Sequence, residues 1–324
     1  MKASRIIVLP GALLISGMLM CMLTLGGIPI VSRPRTWSIG IYTGPSFRAL
    51  RAPASVINPV LSAADVTDVP AKFVADPFMI KKDATWYMFF EVLHARSGKG
   101  VIAVAASPDG YRWSYRGVVL QEPFHLSYPY VFAFQNEYYM IPESGQARSV
   151  RLYKSEEFPT RWTLVATLLS GKGYADSSLV QYGGKWWLFT DANPIANDTL
   201  SLYVADHPKG PWSEHPRSPV IRGDPHISRP AGRPVVSEGR LFRFAQDDAP
   251  TYGIQVWAFE VTELTTVNYN ERRVGAAPIL GPGPAGWNEK GMHHVDPHEV
   301  SDDAWIACVD GSQRRLTFGF YYWH

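Results

Sequence analysis

The 324-residue sequence predicts an all-β fold: a five-bladed β-propeller preceded by one N-terminal transmembrane or signal-anchor helix. Three observations carry this expectation. A hairpin unit recurs five times, a tryptophan recurs behind it, and no long amphipathic helical pattern follows the first 36 residues.

The hairpin unit is clearest at Ala75–Glu91, ADPFMIKKDATWYMFFE: a short strand, a turn at Lys82–Asp83, and a second strand rich in aromatics. Asp76 opens it and Glu91, 15 positions later, closes it. The same 15-residue spacing runs from Tyr128 to Glu143, Asp176 to Asp191, Ala231 to Gln246 and Val295 to Asp310. Each unit has a Gly, Asn, Asp or Ser turn near its middle, then an apolar run: Tyr87–Phe90, Tyr138–Ile141, Trp186–Phe189, Leu241–Phe244 and Trp305–Val309. Unit starts lie 52, 48, 55 and 64 residues apart. An all-strand repeat of roughly 40–50 residues is the pattern of propeller blades.

Outer strands follow the first three units at Val101–Ala106, Val150–Tyr153 and Leu200–Ala205, each with a turn and then Trp113, Trp162 or Trp212. A turn followed by tryptophan at matching positions is a hairpin device, with the indole packed between blades. The fourth unit continues at Gln255–Val261 and then Val267, without the tryptophan. The strand Trp37–Tyr42 is expected to complete the last blade beside the C-terminal strand Leu316–Trp323, which would remove exposed sheet edges. Between Gly44 and Pro70, four prolines and no periodicity suggest a surface connection.

The chain begins with Lys2 and Arg5, then carries no charge from Ile6 to Val31, 26 residues. A bilayer needs about 20 apolar residues, and a signal-peptide core is about 7–15. The reading is therefore a single-pass anchor over residues 1–36 with an extracytoplasmic domain over 37–324, and a cleaved, secreted or periplasmic form as the alternative. The net charge of +2 implies no polyanion partner, and no basic cluster with interleaved aromatics points to nucleic acid. With Cys21 in the anchor and Cys308 in a core strand, no intradomain disulfide is expected. A monomer without cofactor or metal is the expectation.

Seven motifs in order then carry a family resemblance: WSIGIYTGPS, NPVLSAADVTDVPAKFVADPF with YMFFEVL, SYPYVF with YYMIPES, ADSSLV, SRPAGR with RFAQDDAPTYG, GMHHVD, and WIACVDG. The set, spanning Trp37–Gly311, resembles the N-terminal domain of plant glucosamine inositolphosphorylceramide transferases and related bacterial proteins. That domain is similar in architecture to the five-bladed propellers of glycoside hydrolase family 43. In the plant proteins a separate C-terminal domain carries the transfer chemistry, and the sequence to His324 holds none, so the transferase activity is not carried over with the resemblance.

In a propeller the first strand of each blade lines the central channel. The opening positions are Asp76, Ser127–Tyr128, Asp176, Ser228–Arg229 and His293–His294, which would converge on one polar funnel. Glycoside hydrolysis needs one carboxylate to activate water and one carboxylic acid to protonate the leaving oxygen. The resemblance implies Asp76 as base and Asp176 as the second Asp of the site. No Glu opens a first strand; Glu91 and Glu143 close second strands, where the opposite rim is their expected place, and Glu143 serves as the acid only if its loop folds inward. Tyr128, Arg229, His293, His294 and Asp247 are the candidate substrate-binding residues, with Arg229 either on ligand or ion-paired to Asp247 or Asp248. The closing residues Glu91, Glu143, Asp191, Gln246 and Asp310 also fit a shared structural role, since they recur in every unit. His294, Asp296 and His298 would share a strand face that could hold a metal, but Pro297 interrupts the ladder. Asn197-Asp198-Thr199 is a glycosylation sequon only in a compartment that uses one.

Two functional readings follow. The chain acts on, or binds, a glycan or glycolipid in its central funnel, by hydrolysis or transfer in envelope polysaccharide metabolism. Alternatively it is a non-catalytic glycan-binding or scaffolding propeller. A kelch-like protein-interaction module, suggested by the Gly183-Gly184-Lys185-Trp186 turn, is the third option.

Overall fold

The computed structural model describes residues 27–32, 34–314 and 316–322. Two units result: Met1–Thr36 with Arg314–His324, and Trp37–Gln313. In chain order β1 (Gly27–Ser32) and β2 (Arg35–Gly44) come first. The first blade is β3 (Ala71–Lys82), β4 (Thr85–His94), β5 (Gly100–Ser107) and β6 (Ser114–Leu120). The second is β7 (Ser127–Phe134), β8 (Glu137–Glu143), β9 (Ser149–Glu157) and β10 (Arg161–Ser170). The third is β11 (Ala175–Tyr182), β12 (Lys185–Asp191), β13 (Thr199–Ala205), β14 (Ser213–Glu214) and β15 (Ile221–Arg222). The fourth is β16 (Val235–Ser237), β17 (Arg240–Asp247), β18 (Gln255–Leu264) and β19 (Tyr269–Arg273). In the fifth sheet β20 (Val295–Ser301) and β21 (Ala304–Arg314) are joined by β2, in the order β2-β21-β20. The C-terminal strand β22 (Thr317–Tyr322) does not enter that sheet as the sequence suggested; it pairs with β1. Of the expected anchor Ile6–Val31, residues 6–26 lie outside the described residues and 27–31 belong to β1. Among the described residues no helix is long and apolar enough to cross a membrane.

Local chemistry explains the repeats. The hairpin turns at Gln135–Asn136, Gly183–Gly184 and Glu238–Gly239 hold both central residues at positive φ, 51° and 60°, 59° and 76°, 52° and 74°. That backbone matches the right-handed twist of the flanking strands. Each recurrent tryptophan returns its indole N–H to its own turn: Trp113 to the Gly110 carbonyl (3.0 Å), Trp162 to Pro159 (2.9 Å), Trp212 to Pro208 (3.3 Å). The Gly44–Pro70 connection is tied down by Phe47, buried against Phe242, Phe244 and Trp305, and by Asn58, whose amide pairs with both the N–H and the carbonyl of Ile41. Cys308 is buried and free.

The blades meet at an axial tie. Arg233 of the fourth blade donates Nε–H to Asp296 Oδ1 of the fifth (2.6 Å) and Nη2–H to the carbonyls of Met79 in the first (3.3 Å) and Val131 in the second (2.9 Å). Asp296 Oδ2 also accepts the Met79 N–H (2.6 Å) and a His298 contact (2.8 Å). One layer above, the Tyr128 hydroxyl accepts the Gly232 N–H (2.6 Å) and lies 2.8 Å from Ser178 Oγ, linking blades two, three and four. Gly232 has φ of 134°, and a Cβ there would stand 1.7 Å from the Val295 carbonyl oxygen, so only glycine allows its bridge to the fifth blade.

Breaking this tie from one side leaves a buried charge without its counter-ion, which typically costs about 3–5 kcal/mol. Arg233→Met is expected to lower unfolding stability by about that amount in urea melts, and Arg233→Met with Asp296→Leu to recover a large part. Equal loss in the single and double variants would show that the tie carries no coupling.

Candidate functional site

Three of the five first strands carry the same strained device. Asp76, Tyr128 and Asp176 sit at φ of 53°, 44° and 50°, each at a bulge where the register slips between Ala75 and Phe78, Ser127 and Tyr130, Ala175 and Ser178. Positive φ in a residue with a Cβ is costly and persists where surrounding structure over-determines it. At Asp76 and Asp176 the bulge brings a carboxylate into the buried network at the funnel end of the axis.

A cavity of about 180 Å³ opens there, lined by Asp76, Glu91, Ser127, Glu143, Arg229 and His293 beneath an aromatic wall that includes Trp37 and Tyr252. Glu91 and Glu143 are on this rim, not the opposite one. Glu91 faces Ala75 across the first hairpin, and Glu143 faces Ser127 across the second. The open ends of an antiparallel hairpin share one edge, so a residue closing the second strand returns beside the one opening the first.

Arg229 is the cation of the site. It donates Nε–H to Asp176 Oδ2 (2.6 Å), Nη2–H to Glu143 Oε2 (3.3 Å) and Nη1–H to Asn197 Oδ1 (2.9 Å), and its guanidinium lies 5.3 Å from the Tyr252 ring centroid. The alternative of an ion pair with Asp247 or Asp248 is not what forms; Arg229 pairs with Asp176 and Glu143. Asp247 is held instead by His226, Gln255 and Trp257, outside the cavity lining. Gln246, closing the fourth unit, donates to the same Asp176 oxygen (2.5 Å).

On the other side His293 spans two carboxylates. Its Nδ1 is 2.7 Å from Asp310 Oδ1 and its Nε2 3.3 Å from Asp76 Oδ1, while Asp310 Oδ2 accepts the Asp76 backbone N–H at 3.1 Å. The imidazole stacks on Trp37, ring centroids 4.0 Å apart. Asp76, His293 and Asp310 present atoms close enough for a small cation, within 4.8 Å of one another, but the imidazole already bridges the two acids. The sequence's own metal candidates are parted: His294 Nε2 turns to the Pro77 carbonyl (2.8 Å), while Asp296 and His298 pair with each other. Tyr128 and His294 are buried in the floor below the cavity instead of lining it.

Burial sets the proton affinities. It pushes Asp76 up to about 7 against the opposing pull of His293, and Glu143 up to about 8 against that of Arg229. Glu91 is raised as well, by burial first and then by the neighbouring carboxylates; its Oε1 has no hydrogen-bond partner and lies 3.4 Å from His125 Nε2. Burial works against a charge on both Asp310 and His293, yet their mutual attraction outweighs it, lowering Asp310 and raising His293. Burial drops His294 to about 4, so it is a neutral floor residue. The site thus combines carboxyl groups that retain protons near neutrality, one fixed guanidinium and an imidazole, the inventory for proton transfer on a hydroxyl-rich ligand. Sequence reasoning missed Trp37, Glu91, His125, Tyr252 and Asp310 as parts of one site. Only Glu91 and Asp310 left a signal, their recurrence at the repeat's closing position.

Residues 33–312 match the family described as glucosamine inositolphosphorylceramide transferase 1, N-terminal. The chain is 38% identical over 313 residues to the transferase of that name from Oryza sativa subsp. japonica, covering 88% of this chain and 42% of the relative. It is 32% identical over 305 residues to that of Arabidopsis thaliana, covering 88% and 40%. The chain thus spans about two fifths of the length of these relatives. Among solved structures, the fold is similar to the catalytic domain of the family 62 α-L-arabinofuranosidase of Coprinopsis cinerea (TM-score 0.55, 12% identity, 74% of this chain and 90% of that one). It is also similar to a family 117 glycoside hydrolase of Zobellia galactanivorans (TM-score 0.50, 16% identity, 74% and 84%).

The pKa directions have a sign that can be tested. Carboxylates in the unfolded chain titrate near 4, whereas Asp76 and Glu143 hold protons to about 7 and about 8 in the fold. Above pH 4 the unfolded state therefore binds fewer protons, and stability falls as pH rises through 8. Raised His293 adds in the same direction, being lost as pH rises through its folded value; lowered Asp310 acts only below the ordinary Asp range, outside this window. The melting temperature of the wild type is expected to fall between pH 5 and 8. Glu91→Gln, which removes a raised carboxyl, should flatten that slope and raise Tm at pH 8 by about 2–4 °C; a steeper slope would contradict the assignment.

Proposed function

Because the chain belongs to the family of the glucosamine inositolphosphorylceramide transferase N-terminal domain, we propose that its funnel binds a glycan or glycolipid head group and acts on a glycosidic bond there. The observation that carries this reading is the cavity itself, where carboxyl groups, Arg229 and His293 meet an aromatic wall that includes Trp37 and Tyr252. Hydroxyls take the polar groups and a sugar's apolar face takes the rings.

In this reading Asp76 is the base. Its carboxylate, raised to about 7, accepts the proton of an attacking hydroxyl near neutrality. Glu143, protonated to about 8, is the acid that gives its proton to the leaving oxygen. Asp176 acts through Arg229, fixing the guanidinium that orients both Glu143 and the ligand. His293 keeps Asp76 oriented, and Tyr128 and His294 support the floor. A binding-only reading draws on the Arg229–Glu143 contact, which favours a carboxylate over a proton donor. The uncharged residues 6–26 that precede β1, about the 20 that a bilayer needs, support a membrane-anchored, extracytoplasmic placement.

Asp76→Asn is the direct test. With Tm unchanged, turnover of a susceptible aryl glycoside is expected to fall by at least about 100-fold, within the range that general base catalysis supplies. An unaffected rate rejects Asp76 as base. Saccharide capture on a glycan array without turnover of any aryl glycoside would favour the binding-only reading.

A further inference from the structure

A second surface lies at the far end of the fourth blade. Arg240 starts β17 beside the Ser237–Arg240 turn, whereas Gln246, near the other end of that strand, reaches the funnel. Around that turn end four arginines from three segments gather: Arg48 and Arg51 from the loop after β2, Arg240 from β17 and Arg272 from β19. They border two cavities of about 420 and 380 Å³ that share Arg48, Val274 and Gly275.

Acidic residues answer only part of this charge. Glu260 is held by Arg272 (2.8 Å) and approached by Arg240 (3.9 Å), and Glu238 pairs with Arg240. Arg48 and Arg51 make no ion pair among the described residues. Arg48 is aimed by stacking, 4.8 Å from the centroids of Phe47 and Phe242. Arg273 alternates with Arg272 along β19 and lies on the opposite face of the sheet, over Trp257 and Phe259. Four arginines against two glutamates leave +2 on this patch. Stacked guanidiniums keep their donor edges in a fixed fork that matches phosphate oxygens. The aromatic rings are covered by the guanidiniums, which favours a phosphoryl group over stacked bases.

We propose that this patch is an anion-binding site for phosphoryl groups, carried by lipid headgroups or by a soluble phosphate, on the rim away from the funnel. It is independent of the saccharide reading.

The test uses the full chain in neutral detergent micelles. The Nε–Hε signals of Arg48 and Arg51 are followed by NMR while inorganic pyrophosphate is added, and separately when the micelles are doped with phosphatidylglycerol. Each arginine near an anionic surface changes partition by about five-fold, so Arg48→Ala/Arg51→Ala should weaken the effective arm by roughly 25-fold at low salt. Arg161→Ala, an exposed arginine in the second blade, should leave it unchanged. Shifts with phosphatidylglycerol alone assign the site to lipid headgroups; shifts with pyrophosphate assign it to soluble phosphates. No shift in either arm, or equal binding by the double variant with its Tm unchanged, overturns the proposal.

Discussion

The structure depends on a buried ion pair at the axis. Arg233 and Asp296 are on different blades, and between them they reach the backbone of two more. A ring of sheets has a hole where side chains cannot interdigitate as they do between neighbouring blades. Here the hole is filled by a guanidinium, whose planar fork bonds a carboxylate and two carbonyls at once. The desolvation this requires is offset only because the charged groups are also hydrogen-bonded. The Tyr128–Gly232–Ser178 layer above it then seals a floor, and the funnel is what remains between that floor and the rim.

The site inherits its electrostatics from this construction. Sealing the floor removes water, and water's loss is the first cause of the raised affinity of Asp76, Glu91 and Glu143 for protons. The two compensating cations are fixed on opposite sides, Arg229 against Asp176 and Glu143, His293 against Asp76 and Asp310. The two halves therefore differ: one pairs acids with a permanent charge, the other with an imidazole that can change its charge. Such divergence between neighbouring acids is how one pocket holds both a base and a proton donor.

Much of the architecture was legible because hairpins are local. Fifteen residues from opening to closing position reflect one strand, one turn and one strand, and the matched tryptophans reflect one turn each. Asp76 and Asp176 were found for the same reason, as residues at a repeated position. What was not legible is what long separations decide. Arg229 meets Asp176 and Glu143 across 53 and 86 residues, and Tyr128 meets Gly232 across 104. The rim of Glu91 and Glu143 was misjudged by treating strand ends as if they ran on, where an antiparallel return brings them back. The pairing of β22 with β1 lay beyond reach because both ends share an apolar composition that fits several partners.

The central claim is that the sealed funnel, and not the outer surface, receives the saccharide. A crystal structure of the protein with a saccharide captured from a glycan array tests it most directly. The account predicts a sugar ring against Trp37 and Tyr252, with hydroxyls on Asp76, Glu143 and Arg229. A saccharide seated on the outer strands, with the funnel holding none, would contradict it.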